Sequence, residues 1–230
     1  MKYPGGKGRT FQQIINLMPP HTVYVETHLG GGAVLRHKQR AQLDIAIEKD
    51  PMVAVRTAMV LPQGVRLIRG DAHRFLRHFR APPSTLIYAD PPYLPESRRA
   101  TRVYRYDYTR LDHIRLLELL RPLNCMVMIS GYHSSLYEDA LSDWNRESFL
   151  AKTHADVREE NVWFNFPRPA VLHDARFLGA NFRDRQTTKR RFERLTQRID
   201  RLSSPEQHVL LNWLGEKIET QKREHVADNS

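Results

Sequence analysis

A run of hydrogen-bond acceptors follows one apolar stretch of the sequence. The residues Asp90, Pro91, Pro92 and Tyr93 come directly after the predicted buried strand 84–89. Two consecutive prolines remove two backbone donors and keep the chain extended, so carbonyl oxygens are left beside a carboxylate and an aromatic ring. Such a group can accept both hydrogens of a planar amine and stack on its ring, and we interpret these four residues as catalytic. The alternative is a proline-rich loop in which Asp90 is a turn residue.

A glycine turn and an acidic residue indicate a site for a nucleotide-like cofactor. Gly30 to Gly32 follow the predicted strand 22–26, and glycines let the backbone approach a ligand closely. Glu48 ends the next strand 18 positions after Gly30, near the spacing of ~20 residues at which an acid binds ribose hydroxyls. Asp50 is a second candidate, but it precedes a proline and can instead cap a helix. An ordinary tight turn is the alternative for the glycines.

Two further polar residues lie near glycines. Lys7 suits an anionic group, but its segment is not a phosphate-binding P-loop, because Gly8 follows it where that motif has Ser or Thr. An NTPase is therefore excluded. Asp71 follows the third predicted strand and can reach a ligand or cap the next helix. His73 and His78 do not share a helix face, and we predict no metal site.

The composition narrows the class of protein. The 230 residues include 36 Lys and Arg against 26 Asp and Glu, a formal net charge of +10, which favours a polyanionic partner. The single cysteine, Cys125, excludes an internal disulfide and a cysteine-cluster metal site. No apolar run approaches the ~20 residues of a membrane span, and the N-terminus lacks a signal-peptide pattern. We therefore expect a cytoplasmic protein.

Strand-like and helix-like stretches alternate along the first two-thirds of the chain. This alternation predicts an α/β fold with a parallel, Rossmann-like sheet covered by helices on both faces. The predicted strands are 22–26, 43–48, 65–69, 84–89 and 125–130, with a closing hairpin of 148–153 and 162–166. The first predicted helix starts with a capping box at Thr10–Gln13. The other predicted helices are 33–41, one that begins at 51, 72–79, 111–120 and 134–141.

The tail of the chain follows a different pattern. Apolar residues from Phe192 to Leu202 recur at helical spacing and predict a helix over 187–202. The run 204–207 (Ser-Pro-Glu-Gln) predicts the N-cap and capping box of a second helix. We therefore divide the chain into a catalytic domain, 1–175, and a basic helical extension, 176–230.

Two segments hold most of the positive charge. Basic residues exceed acidic ones by three in 94–110 and by six in 176–198. Arginines suit phosphates, and Tyr104, Tyr106 and Tyr108 suit unstacked bases. The alternatives are solvated surfaces and, for the tail, a helix pair that packs or dimerises. We predict nucleic-acid contacts by Arg98, Arg99, Arg102, Arg105, Lys189, Arg190, Arg191 and Arg194.

Taken in order, these motifs resemble those of the Dam-like family of DNA adenine N6-methyltransferases. The resemblance covers roughly residues 1–170. It implies a class I S-adenosylmethionine-dependent methyltransferase sheet with a C-terminal β-hairpin and a short helical tail. The matching motifs are Tyr3–Lys7, 24–34, 47–50, Gly70-Asp71, Asp90–Tyr93, 106–113, 130–132 and 160–165.

The resemblance also implies a reaction and a cofactor. Methyl transfer from S-adenosylmethionine to the adenine amine would be direct, with no metal and no covalent enzyme intermediate. Asp90 and the Pro91 carbonyl would hold the amine, Tyr93 would stack on the base, and the base would be flipped out of the duplex. The residues implied to bind the cofactor are Tyr3, Lys7, Glu26, Gly30, Gly32, Glu48, Asp50, Asp71 and Asp90.

Two departures from the family pattern concern the cofactor turn and the sequence specificity. Thr27 and His28 replace the Pro-Phe that the family carries before the glycine turn. Asp71 comes 21 positions after Asp50, and Asp90 comes 19 positions after Asp71, so the family's target-recognition insertion has no room. We therefore expect DNA adenine methylation with relaxed or short sequence specificity. Methylation of structured RNA and a catalytically inactive nucleic-acid-binding protein are the alternatives.

Overall fold

The computed structural model describes Lys7 and residues 10–97, 105–152, 157–179 and 181–227. The chain divides into two compact units, Met1–Phe177 and Leu178–Ser230. The first unit is an α/β structure, and the second consists mainly of two long helices. Among the described residues, no helix is both long enough and apolar enough to cross a membrane.

A seven-stranded sheet forms the centre of the first unit. In chain order its strands are β1 (Val23–Glu26), β2 (Leu43–Glu48), β3 (Arg66–Arg69), β4 (Thr85–Ala89), β5 (Met126–Gly131), β6 (Asn145–Lys152) and β7 (Val157–Phe164). In space they follow the order β3-β2-β1-β4-β5-β7-β6. The first five strands are parallel, and β7 is antiparallel to β5 and to β6. This order confirms the predicted Rossmann-like class I methyltransferase sheet with a closing hairpin.

Helices connect the parallel strands and cover both faces of the sheet. In chain order they are α1 (Phe11–Ile15), α2 (Ala33–His37), α3 (Pro51–Ala58), α4 (Ala72–His78), α5 (Arg110–Leu120) and α6 (Ser135–Ala140). The second unit contains α7 (Phe182–Asp200) and α8 (Ser204–Ala227). Successive strand residues pack into different clusters: Tyr24 lies in one cluster and Val25 in the other, as do Tyr88 and Ile87. Because the strands are buried on both faces of the sheet, their sequences are continuous apolar runs.

Two helix ends in the first unit differ from the prediction. The capping box at Thr10 is wrong, because Thr10 already has helical backbone angles (φ −108, ψ −9) and its side chain makes no capping hydrogen bond. Its N–H instead donates to the Lys7 carbonyl at 3.2 Å. Helix α2 ends at His37 rather than 41, because Lys38 is extended (ψ 156) and its ammonium forms a buried ion pair with Asp44 at 2.7 Å.

The hairpin and the tail helices also begin at different residues than predicted. Both hairpin strands start earlier than the predicted residues 148 and 162. Because β7 is hydrogen-bonded to a strand on each side, the alternation of apolar and polar residues is a poor guide to its ends. Helix α7 begins at Phe182 because the Asn181 side chain caps it. The capping pair of α8 lies one residue earlier than predicted, since the Ser203 N–H and hydroxyl both donate to Glu206 at 2.7 Å.

Candidate active site

The largest group of predicted site residues meets in one cleft of the first unit. The cleft lies at the carboxyl ends of β1 and β4, where the strand order reverses and α/β sheets commonly bind ligands. Its volume is about 260 Å³. The predicted residues that line it are Lys7, Glu26, Gly30, Gly32, Glu48, Asp50, Asp90, Pro91, Pro92, Tyr93 and Arg105.

The glycine turn between β1 and α2 is fixed by two neighbouring side chains. The Gly30 N–H donates to a Glu48 carboxylate oxygen at 2.8 Å, and the Gly30 carbonyl accepts from the Thr57 hydroxyl at 2.8 Å. Gly32 has φ +63, and a Cβ there would lie 3.2 Å from side-chain atoms of Leu29 and Thr57. The turn therefore needs glycine at position 32 and keeps its backbone open to the cleft.

Glu48 and Asp50 have different roles beside this turn. The second carboxylate oxygen of Glu48 accepts the Asp50 N–H at 2.8 Å, and burial raises the pKa of Glu48. A carboxylate offers about four acceptor positions, so two remain for ligand hydroxyls. Asp50 accepts the Met52 N–H at 2.9 Å and caps α3, which is the capping role considered from the sequence.

Asp71 lies next to this cleft but does not line it. Its carboxylate caps α4 through the Arg74 N–H at 3.1 Å and pairs with Lys49 at 2.9 Å. Burial alone would raise the pKa of Asp71, but the hydrogen bonds from Lys49 and the Arg74 N–H lower it to about 2. Asp71 instead lines a neighbouring groove with β3 and α4.

Asp90 lies at the end of the fully buried strand β4, where Lys7 pairs with it. The Lys7 Nζ atom lies 2.7 Å from an Asp90 oxygen. Burial raises the pKa of Asp90 to about 6, with the Glu160 carboxylate adding to this effect and Lys7 opposing it. Burial alone would lower the pKa of Lys7, but the two carboxylates raise it. The sequence assigned Lys7 to an anionic ligand, whereas the structure directs its ammonium to Asp90.

Glu160 is a site residue that belongs to one of the matching motifs but is absent from the predicted site residues. Its carboxylate pairs with Lys7 and accepts the Tyr93 hydroxyl. The Lys7 ammonium also donates to that hydroxyl, and Tyr132 packs edge-on against the Tyr93 ring at 4.5 Å. The signal for this role in the sequence is weak, because Glu160 lies between Glu159 and Asn161, just before the predicted hairpin strand 162–166.

Glu26 is a buried acid at the carboxyl end of β1. Only 3% of the residue is exposed, and its carboxyl group accepts the Tyr24 hydroxyl at 2.9 Å. Burial raises the pKa of Glu26 to about 8, because the charged form loses its hydration and Asp90 lies nearby. Glu26 is therefore largely protonated at neutral pH.

A hydrogen-bonded chain links the cleft to α4 and α5. His28 Nε2 lies 2.9 Å from the Tyr108 hydroxyl, which lies 3.3 Å from His73 Nδ1. His73 Nε2 in turn lies 2.9 Å from the Asp112 carbonyl oxygen. Burial lowers the pKa of His28 to about 3, so His28 is neutral.

Tyr108 shows where the prediction about the aromatic residues was wrong. Although Tyr108 borders the cleft, only 5% of the residue is exposed, because it packs in the core, so it does not offer the free ring that was predicted. Tyr106 is 37% exposed and lines the cleft, and Tyr104 lies outside the described residues.

The predicted nucleic-acid contacts fall in three places. Arg105 lines the cleft, with its guanidinium 5.7 Å from the centre of the Tyr106 ring. Four others are exposed on α7: Lys189, Arg190, Arg191 and Arg194. The other predicted nucleic-acid contacts, Arg98, Arg99 and Arg102, and the predicted cofactor residue Tyr3 lie outside the described residues.

Comparison with known proteins gives similarity at the level of solved structures. No family model and no curated protein matches the sequence. An rRNA methylase from Streptococcus thermophilus is 13% identical, with a TM-score of 0.46 over 72% of this chain and 97% of that chain. TrmK from M. capricolum, in complex with S-adenosyl-homocysteine, is 10% identical, with a TM-score of 0.46 over 93% and 96%.

A third similar structure is precorrin 8W decarboxylase from Methanobacterium thermoautotrophicum. It is 14% identical, with a TM-score of 0.46 over 71% of this chain and 93% of that chain. All three similarities are distant and concern the fold, whose class the strand order already defines.

Proposed function

We propose that the protein transfers a methyl group from S-adenosylmethionine to the N6 amine of adenine in DNA, with relaxed or short sequence specificity. One observation carries the proposal: the Asp90–Tyr93 motif and the glycine turn line the same cleft at the switch point of the sheet. Direct transfer needs donor and acceptor side by side, and holding them so supplies much of the rate enhancement.

The residues of the cleft fit the cofactor. The glycine turn offers open backbone, and Glu48 keeps two acceptor positions for ribose hydroxyls. Two carboxylates, those of Glu48 and Asp90, line the cleft and suit a ligand that carries positive charge, and the largely protonated Glu26 lines it as well. The bound cofactor supplies an electrophilic methyl group on a sulfonium.

The Asp90 motif performs the steps at the substrate amine. The Asp90 carboxylate accepts one N–H of the adenine amine and the Pro91 carbonyl accepts the other, which directs the nitrogen lone pair out of the ring plane. Lys7 and Glu160 hold the Tyr93 hydroxyl and so fix the ring on which the base stacks. After transfer the nitrogen gives up one proton, and Asp90, with its pKa raised to about 6 by burial, accepts it.

The basic residues supply affinity for the nucleic-acid backbone. Arg105 lies at the cleft, and the exposed cations of α7 add further positive charge. Contacts to phosphates increase affinity for any sequence and carry little sequence information. This agrees with a chain that has no room for a recognition insertion.

The test is methyl transfer from labelled S-adenosylmethionine to several unrelated DNA duplexes. We expect label in all of them, recovered as N6-methyladenine after digestion. Asp90→Ala should abolish transfer while leaving the fold intact and S-adenosyl-homocysteine binding measurable by calorimetry, and Asp139→Ala, a change at an exposed position of α6, should be active. No incorporation, or incorporation only at a long palindrome, would contradict the proposal.

Two further measurements separate the alternatives. Competition among duplex DNA, rRNA and tRNA distinguishes a DNA substrate from structured RNA, because the preferred substrate suppresses labelling of the others. A protein that binds nucleic acid but neither S-adenosylmethionine nor S-adenosyl-homocysteine would be an inactive binding protein.

A further inference from the structure

A second groove on the first unit carries positive charge outside the proposed active site. It runs between the edge strand β3 and helix α4 and has a volume of about 560 Å³. Three arginines line it: Arg66 and Arg69 from β3, and Arg74 from α4. All three are exposed.

The charge of this groove is uncompensated. In the part of the chain that the structure describes, none of the three guanidinium groups forms an ion pair. The acid that lines the groove, Asp71, is already paired with Lys49 at 2.9 Å. Over residues 66–80 the sequence has five arginines against one acidic residue, a surplus of four. This surplus lies outside the two basic segments recognised from the sequence.

The aromatic residues of the groove favour a duplex over unpaired bases. Phe75 and Phe79 stack on each other with ring centroids 4.8 Å apart, and both pack against the core. Proteins that bind single strands usually stack bases on free rings. The groove offers charge without a free ring, which suits the phosphates of a duplex.

The groove lies next to the proposed active site. Gly70, at the carboxyl end of β3, lines both the cleft and the groove. A backbone held by these arginines would therefore pass beside the mouth of the cleft, where a flipped base has to enter.

We propose that the groove between β3 and α4 binds the phosphate backbone of duplex DNA next to the active site. The inference rests on the proposed function for its choice of DNA as substrate. It assigns to the first unit a docking surface that partly replaces the recognition insertion for which the chain has no room.

The test is DNA binding by the full chain carrying Arg66→Gln, Arg69→Gln and Arg74→Gln together. Fluorescence anisotropy with a short labelled duplex, without cofactor and over a range of salt concentrations, gives the slope of log affinity against log salt. Each lost phosphate contact should reduce the magnitude of that slope by about 0.9, so up to about 2.7 for three contacts. Affinity should fall to a similar extent for unrelated duplex sequences.

A matched control removes the same charge elsewhere on the first unit. Arg36→Gln, Arg115→Gln and Arg146→Gln change three exposed arginines that line neither the cleft nor the groove, although Arg146 pairs with Glu138. This control should keep the wild-type slope. A second variant, Arg66→Lys, Arg69→Lys and Arg74→Lys together, retains the charge and should also keep the wild-type slope, which guards against a loss caused by misfolding.

Several outcomes would overturn the inference. An unchanged slope in the Gln variant, an equal change in the control, or an equal loss in the Lys variant would each show that the groove does not hold phosphates. A larger loss for single-stranded RNA than for duplex DNA would overturn the choice of partner. Because binding is measured without cofactor, a chain that fails to methylate DNA but shows the expected slopes would contradict the proposed function alone.

Discussion

The Nζ atom of Lys7 lies 2.7 Å from an oxygen of Asp90, and both side chains are largely buried. The ammonium thus takes up an acceptor position on the carboxylate that the proposed mechanism assigns to the substrate amine. Glu160 pairs with Lys7 as well, so the lysine has a second carboxylate to retain it when Asp90 accepts the amine. One cation shared by two buried carboxylates makes the charge state of Asp90 sensitive to Lys7.

Replacing Lys7 should change the pH dependence of methyl transfer. Burial raises the pKa of Asp90 to about 6, and kcat/KM should fall about tenfold per pH unit below that value, because protonated Asp90 loses an acceptor. In Lys7→Met two buried carboxylates lose their cation, so this acid limb should move to higher pH. Lys7→Arg keeps the charge and serves as the control. A profile unchanged in Lys7→Met would contradict the role of the ammonium.

Glu26 should make the protein less stable at alkaline pH. Its pKa is raised from 4.5 to about 8 by burial, so its contribution to stability is complete below about pH 4.5 and is lost as pH rises through 8. Glu26→Gln keeps an acceptor for the Tyr24 hydroxyl and cannot ionise. Its free energy of unfolding in urea should therefore vary less between pH 5 and 8.

The exposed Glu118→Gln on α5 is the comparison for Glu26→Gln. It should keep the wild-type pH dependence of the free energy of unfolding. If both variants showed the same pH dependence as the wild type, Glu26 would be ionised in the folded protein at little cost, contrary to this prediction.

Tyr108→Phe should destabilise the first unit. The change removes a buried hydroxyl that lies between His28 and His73 and leaves two ring nitrogens without their partner. A loss of about 1–3 kcal/mol in the free energy of unfolding is expected for buried polar groups left unsatisfied. Tyr106→Phe, at a 37% exposed ring, should cost much less. Equal effects of the two changes in urea unfolding would argue against the hydrogen-bonded chain.

Gly32→Ala should disturb the cofactor turn. Gly32 has φ +63, and the added Cβ would lie 3.2 Å from Leu29 and Thr57 side-chain atoms. The left-handed conformation alone costs about 1–2 kcal/mol for a residue with a Cβ, so both stability and affinity for S-adenosyl-homocysteine should fall. At Gly70 the nearest atom to an added Cβ is 3.9 Å away, which makes Gly70→Ala the stability control. Calorimetry that finds wild-type affinity in Gly32→Ala would show that the turn does not hold the cofactor.

The arginines of α7 should contribute phosphate contacts. Arg190→Gln, Arg191→Gln and Arg194→Gln together remove three exposed charges from one helix. We expect weaker binding to all duplexes alike and a reduced salt dependence of the affinity. The control that changes Arg36, Arg115 and Arg146 applies here too. If the slope stayed at the wild-type value, α7 would serve in packing rather than in DNA binding.

Much of the fold follows from the sequence because local signals and burial agree. The buried strand β4 and the proline pair after it fix the position of Asp90, and Asp50 before Pro51 marks the start of α3. The glycine turn can also be predicted from the sequence, because few residues other than glycine adopt the positive φ found at Gly32. Each of these features is determined by residues that are close to one another in the sequence.

The predictions failed where contacts between residues distant in the sequence determine the structure. Tyr108 lies among arginines in the sequence, which predicts an exposed ring, but its contacts with His28 and His73 hold it in the core. Glu160 joins the site only because the sheet order places β7 beside β5. The groove was missed although residues 66–80 have a surplus of four basic residues, because only the packing of α4 beside β3 brings Arg66, Arg69 and Arg74 to one surface.

Strand β3 forms one end of the sheet and is only four residues long. An open strand edge can pair with a strand from another molecule, and short, charged edges are a common protection against such aggregation. Arg66 and Arg69 occupy the two ends of this strand. The same charges that are proposed to hold DNA therefore also disfavour pairing of this edge with a second copy of the chain, whether or not DNA is bound.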